Sequence, residues 1–279
     1  MSSHASPLTP KYHGSSVPPS MAPNPDFKTI FPAKSTGYKT PLFLVHGLPG
    51  YNPGINTALA NYFDRNRPLY AVQASGLDNR SAPYEDVEAM AAHYVREMRH
   101  VLPEGPYLLG GLCLGGSIAF EMARQVRKET QEVSAIVMVD SPFPLLSERE
   151  LAWLADDVSA KSKELVGHAA PYWRYGTSEE LVPPESRNQF RVWKANVKAV
   201  STYRPLICGE RLIYFSATDP IAEKSFFDPA RPGSWKDLTS RSCEIHSISG
   251  NHLSILFEPR VKTLADMICA CLDHVDVLD

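Results

Sequence analysis

The sequence predicts an α/β protein, a mostly parallel, doubly wound sheet with helices on both faces. Short apolar runs recur along the chain without the polar alternation of a one-sided sheet, as strands covered on both faces require. Stretches with apolar residues at helical spacing lie between them, and strand–helix alternation of this kind builds parallel sheets. The composition agrees: 43% hydrophobic and 21% charged residues belong to an ordinary globular protein, not a disordered, collagen-like or coiled-coil chain. At 279 residues, one core with an insertion accounts for the length better than two independent domains.

Residues 1–25 carry six prolines, six serines and a single charged group, Lys11. They cannot bury enough apolar surface to offset chain entropy, so residues 1–26 are expected to form a disordered leader, with one domain over 27–279. Phe27–Phe31 alternates like a half-buried strand. The run Pro41–Gly47 reads as a buried strand closing on a glycine turn, and Leu69–Val72, Tyr107–Leu109, Val133–Val139, Arg211–Ser216 and Cys243–Ile248 read as its successors. Helices are expected at Ile55–Phe63, at Tyr84–Val101, where Val87, Met90, Ala91, Tyr94, Met98 and Val101 share a stripe, at Leu114–Arg127 and from Pro259 to Leu272 or beyond. Between about 147 and 203 no strand is convincing. Helical stretches at Glu148–Leu154 and Asn188–Ser201, with exposed-looking Tyr172, Trp173, Tyr175 and Trp193, suggest an inserted helical lid over the C-terminal edge of the sheet.

The 28 Lys and Arg residues against 31 Asp and Glu give a net charge of −3. No basic run is present, which argues against a nucleic-acid partner. The five cysteines, Cys113, Cys208, Cys243, Cys269 and Cys271, are an odd number scattered along the chain and form no CxxC pair, so neither a disulfide scaffold nor a metal site is expected. Cys269 and Cys271 fall two apart in a helix and point to different faces. The N-terminus lacks an apolar signal core, and the stretch Gly105–Phe120 is too short and glycine-laden to span a bilayer. A cytoplasmic protein without a membrane association is the expectation.

The chemistry concentrates at Gly110-Gly111-Leu112-Cys113-Leu114-Gly115-Gly116, between a strand and a helix. It fits the G-x-S-x-G nucleophile elbow with cysteine in place of serine. A nucleophile on a strained strand-to-helix turn needs neighbours two residues away with almost no side chain, and both are glycine. A glycine-rich corner that merely buries a cysteine would have the same spacing, but the P-loop and dinucleotide frames are absent. The rest of the constellation follows in the order nucleophile, acid, histidine. Asp140 ends the next strand, and His252 stands in Gly250-Asn251-His252 after the last one. Asp219 is the competing acid and Asp140 the favoured one, because the strand after the elbow ends directly on it. His246 lies mid-strand and His46 before a glycine turn, both read as structural. The backbone N–H groups of Leu48, in the turn His46-Gly47-Leu48-Pro49-Gly50, and of Leu114, at the helix start, are candidates for an oxyanion hole.

These residues resemble the type I thioesterase domains that end polyketide synthases and nonribosomal peptide synthetases. The resemblance runs from about Phe27 to Leu272. It is carried by Pro41-Leu-Phe-Leu-Val-His-Gly, Pro68-Leu-Tyr-Ala-Val-Gln-Ala-Ser-Gly-Leu-Asp, Pro103-Glu-Gly-Pro-Tyr-Leu-Leu-Gly-Gly, Ala119-Phe-Glu-Met-Ala-Arg-Gln, Val139-Asp-Ser-Pro-Phe-Pro, the stretch Asn196 to Tyr203-Arg-Pro, and Ser249-Gly-Asn-His. It implies an α/β-hydrolase fold, an acid at Asp140 and a lid where the insertion lies. It also implies a substrate carried as a thioester on the phosphopantetheine of an acyl or peptidyl carrier protein, with no cofactor of the domain's own. Serine is the family's usual nucleophile. No carrier module is recognisable, so either the carrier is met in trans, which is the expectation, or the chain is a domain taken from a longer protein.

Cysteine changes the energetics. Transfer from a carrier thioester to a thiolate exchanges one thioester for another and is nearly thermoneutral, so the Cys113 acyl-enzyme stays activated for water, an alcohol, an amine or an internal carbon nucleophile. A helix N-terminus and a neighbouring imidazolium favour a thiolate. Two other functions fit the same residues: a small-molecule esterase or cyclase acting on free substrates, and a non-catalytic α/β-hydrolase-like binding protein. The second leaves the presence of His252 and Asp140 without a purpose.

Overall fold

The computed structural model describes residues 29–51, 53–78, 80–143, 177–219 and 234–278. The leader, most of the predicted lid and its aromatics Tyr172, Trp173 and Tyr175 lie outside these residues, as does the helix expected at Glu148–Leu154.

Seven strands form one sheet in the order β1-β3-β2-β4-β5-β6-β7. They are β1 (Ile30–Lys34), β2 (Leu42–Val45), β3 (Leu69–Val72), β4 (Tyr107–Leu112), β5 (Val133–Val139), β6 (Leu212–Ala217) and β7 (Cys243–Ile248). Only β1, at one edge, runs antiparallel to its neighbour. The five longer helices among the described residues are α1 (Pro53–Tyr62), α2 (Val87–Val101), α3 (Leu114–Lys128), α4 (Arg187–Thr202) and α5 (Arg260–Leu278).

The uninterrupted apolar runs supply both faces of the sheet. In β2, Phe43 and Val45 join a core with α2, α3 and α4, while Leu42 and Leu44 join a second core with α1 and α5. The same division holds in β5, with Ile136 and Met138 on the first side and Ala135, Val137 and Val139 on the second. Side chains alternate across a strand, so a continuous apolar run is what a two-sided core selects. The exceptions are the two edge strands: β1 leaves Pro32 exposed and Phe31, Ala33 and Lys34 half-exposed, and β7 leaves Glu244, Ile245 and Ser247 exposed.

Two expectations need correction. β4 extends three residues past Leu109, because Gly110 and Gly111 pair with Val137 and Met138 on one side and Leu44 and Val45 on the other. These glycines belong to the strand rather than to the turn. Trp193, which reads as exposed, is buried on the first core with Phe190, Val197 and Val200. The four share one stripe of α4, which turns toward the sheet and not toward solvent.

Polar groups buried at the sheet margins are paired. The Glu97 carboxylate accepts from Thr29 N at 3.0 Å and Thr29 Oγ1 at 2.8 Å, and tethers the start of β1 to α2. His46 is fully enclosed after β2, with Nδ1 2.8 Å from Gly47 O and Nε2 2.9 Å from Tyr94 Oη. Burial lowers its pKa to about 4 from 6.5, against a smaller opposing contribution from the Gly47 hydrogen bond. Folding therefore holds His46 neutral. With a folded pKa below the unfolded one, its contribution is complete above pH 6.5 and is lost as pH falls through about 4. His252, whose pKa is raised on folding, keeps its full contribution below 6.5 and acts at higher pH. Denaturant unfolding at pH 6.5 and pH 4 should thus show a loss larger in the wild type than in His46→Gln, by up to about 3 kcal/mol. Parallel losses in the two proteins would contradict a neutral His46.

Candidate active site

The C-terminal ends of β4, β5 and β7 converge on Cys113, Asp140 and His252. Cys113 follows β4 directly and precedes α3, with φ 53° and ψ −124°. A non-glycine residue at positive φ is strained, and the corner around Cys113 is built to impose that conformation. Cys113 N donates to Val139 O at 3.0 Å, and Gly116 N donates to Cys113 O at 3.1 Å. The flanking glycines are steric necessities. A Cβ on Gly111 would lie 1.9 Å from Gly115 C, and one on Gly115 would lie 2.4 Å from Val45 O. The chain doubles back on itself here with no room for a methyl group, and Cys113 is lifted to a partly exposed position.

Asp140, also at positive φ (44°), is buried after β5. Both carboxylate oxygens are engaged: Oδ1 accepts from Ala217 N at 3.0 Å, and Oδ2 accepts from His252 Nδ1 at 2.7 Å. Its own N–H donates to Phe215 O at 2.8 Å. The next residue is fixed as firmly, since Ser141 O accepts from both Tyr214 Oη at 2.8 Å and Trp235 Nε1 at 3.0 Å. Asp219 is elsewhere. It is exposed, its carboxylate accepts from Thr218 Oγ1, and it meets the histidine loop only through its N–H to Gly250 O at 2.8 Å.

His252 is buried in a loop that Asn251 closes, its Oδ1 accepting from Leu253 N at 3.1 Å and Ser254 N at 2.9 Å. Burial disfavours the imidazolium. The charge on Cys113 and hydrogen bonds to Asp140 and Cys113 outweigh that penalty and raise the pKa of His252 above its usual value. Nδ1 is committed to Asp140, so Nε2 is the ring nitrogen available to Cys113. Such a group can hold a proton next to a thiolate and give it up to a leaving thiol.

Leu48 sits buried in the turn after β2, and Leu114 is the first residue of α3, so its N–H has no intrahelical acceptor. A contact that the sequence does not disclose holds the Leu48 turn: Asn196 Nδ2, from the buried face of α4, donates to Leu48 O at 2.9 Å. The two residues are 148 positions apart. One polar residue on the apolar stripe of α4 was the only available signal. His46 and His246 both lie outside the Cys113–Asp140–His252 arrangement, the first in the core and the second on β7. Among the described residues one group of possible metal ligands is present, Glu244, His246 and Cys271, and it is separate from this arrangement. No helix of the described residues is long and apolar enough to cross a membrane.

The chain is 28% identical over 236 residues to malpibaldin synthetase of Mortierella alpina, covering 82% of the chain and 4% of the relative. It is 28% identical over 269 residues to a dimodular nonribosomal peptide synthase of Bacillus subtilis, covering 88% and 11%. It thus spans only a small part of the curated relatives it matches. Among solved structures, a four-domain nonribosomal peptide synthetase bound to AMP and glycine superposes with a TM-score of 0.69 at 26% identity, covering 87% of this chain and 20% of that one. The NocB thioesterase domain from the nocardicin cluster shares the fold, with a TM-score of 0.65 at 20% identity and coverage of 88% and 99%. The sheet order and flanking helices are those of an α/β-hydrolase. The family described as Thioesterase domain matches residues 40–272, from just before β2 into α5 and through Cys113, Asp140 and His252, and the chain belongs to that family.

Proposed function

We propose that the protein removes a polyketide or peptidyl chain from the phosphopantetheine thioester of a carrier protein, holds it on Cys113 and releases it. Release is by hydrolysis, by cyclisation or by transfer to an alcohol or amine. The supporting observation is the arrangement at the elbow: a cysteine held at positive φ, whose charge helps raise the pKa of an imidazole that is itself bound through Nδ1 to a buried carboxylate.

In this mechanism His252 Nε2 takes the Cys113 thiol proton, and Sγ attacks the thioester carbonyl. A bond forms from Sγ to the carbonyl carbon, and the oxygen becomes an oxyanion held by the Leu48 and Leu114 N–H groups. Collapse breaks the bond from that carbon to the pantetheine sulfur, which leaves as a thiol with the proton from His252. The same histidine then deprotonates water, an alcohol or an amine, whose oxygen or nitrogen bonds to the acyl carbon; the bond from that carbon to Sγ breaks, and Cys113 leaves with the proton from His252. Asp140 orients the ring and stabilises the imidazolium. The chain needs no cofactor of its own for these steps.

A matched comparison of one acyl group on a carrier protein and as a free ester tests the substrate class. Faster turnover of the carrier-bound thioester is expected. Preference for the free ester would favour a small-molecule esterase or cyclase.

Asn196 provides a second test. Substitution Asn196→Leu removes the donor that fixes Leu48 O and should lower kcat about tenfold, with KM changed much less, since an oxyanion hole acts on the transition state. An unchanged kcat would remove Leu48 from the mechanism.

A further inference from the structure

We propose that Glu244, His246 and Cys271 form a binding site for one divalent transition-metal ion of the zinc type, joining the edge strand β7 to the helix α5. Glu244 and His246 are two residues apart on β7 and share one face. Cys271 reaches them from α5, 25 residues further along the chain. That separation conceals the group from any search for short ligand spacings. Cys269 does not take part, because its sulfur accepts from Asp64 N at 3.2 Å on another face of α5.

The distances suit a tetrahedral ion. His246 Nε2 lies 3.4 Å from Cys271 Sγ and 3.8 Å from Glu244 Oε2. The donor atoms of all three residues fall within 4.8 Å of one another. With metal–nitrogen and metal–oxygen bonds of about 2.0–2.2 Å and a metal–sulfur bond of about 2.3 Å, the edges of a tetrahedron are about 3.4–3.6 Å. A thiol–imidazole hydrogen bond accounts for the first distance alone. It does not explain why the same nitrogen also faces a carboxylate.

The imidazole is oriented by Phe215, on which it stacks at 5.3 Å between centroids and 22° between planes. Thiolate, imidazole and carboxylate together select zinc-class ions over magnesium or calcium, which prefer oxygen donors alone. The His246 and Glu244 side chains are 33% and 47% exposed, so water can reach the fourth position. On this reading the ion is a clip between β7, which leads into the His252 loop, and the helix that follows that loop.

Cobalt(II), as a spectroscopic substitute for zinc, tests the site on the full chain after treatment with a chelator. One equivalent should produce thiolate-to-cobalt charge-transfer absorption that zinc abolishes, and the same result is expected in Cys113→Ala. The absorption should be lost in Cys271→Ala, and Glu244→Gln, at an exposed position, should weaken cobalt binding about tenfold or more. Circular dichroism of each variant separates loss of the site from loss of the fold. Absence of absorption in the wild type, its survival in folded Cys271→Ala, or its loss in Cys113→Ala would each overturn the proposal.

Discussion

Cys113→Ala is expected to lower turnover of a carrier-bound acyl thioester by about ten-thousand-fold or more, leaving only what orientation and the oxyanion hole supply. The substitution removes the atom that accepts the acyl group and should leave the fold intact, because alanine fills less space at a corner already opened by glycine. Cys113→Ser distinguishes the roles of the two steps. Serine retains the position and a proton for His252 but traps the chain as an oxygen ester, more stable than the thioester that cysteine would form. Its expected phenotype is an acylated protein that accumulates and discharges more slowly than wild type. A stopped thiol-release assay reports the first step, and protein-bound acyl group reports the second. Wild-type turnover by Cys113→Ala would favour a site in which the elbow is a relic of lost chemistry.

Asp140→Asn should cost nearly as much, about ten-thousand-fold in kcat, with the unfolding midpoint little altered. Asparagine keeps an oxygen for Ala217 N, so the loop after β5 retains its anchor. Opposite His252 Nδ1 it cannot stabilise an imidazolium, and an amide nitrogen turned to that position forces the wrong tautomer. Asp219→Asn is the matched control. It lies exposed outside the histidine's reach, and its N–H contact to Gly250 O is a backbone bond that the substitution leaves alone. A large effect at Asp219 with a small one at Asp140 would reverse the assignment of the acid.

What could be read from the sequence was local. The run Val133–Val139 is almost entirely apolar because both faces of the sheet are covered, and its limits could be read to the residue. The elbow was legible because backbone crowding at Gly111 and Gly115 excludes every other residue type. Asp140 could be preferred to Asp219 because it ends its strand without an intervening residue.

What could not be read depends on long-range contacts. Asn196 touches Leu48 across 148 residues, and its type alone does not reveal which carbonyl it serves. Glu97 is buried on α2 because Thr29 supplies two donors from 68 residues away, which helix periodicity cannot show. Trp193 looks like a lid aromatic by composition, yet its place at helical spacing from Phe190 and Val197 puts it in the core. The group Glu244, His246 and Cys271 was invisible for the same reason, since the pairing of a strand with the helix after it sets which face each residue presents.

The central claim is a covalent acyl intermediate on Cys113, and intact mass of the protein after mixing with an acyl-loaded carrier protein tests it most directly. The wild type should gain the mass of the acyl group transiently, Cys113→Ser should gain it persistently, and peptide mapping should place it on residue 113. Turnover with no mass gain in either protein, or an acyl group mapped to another residue, would contradict the account.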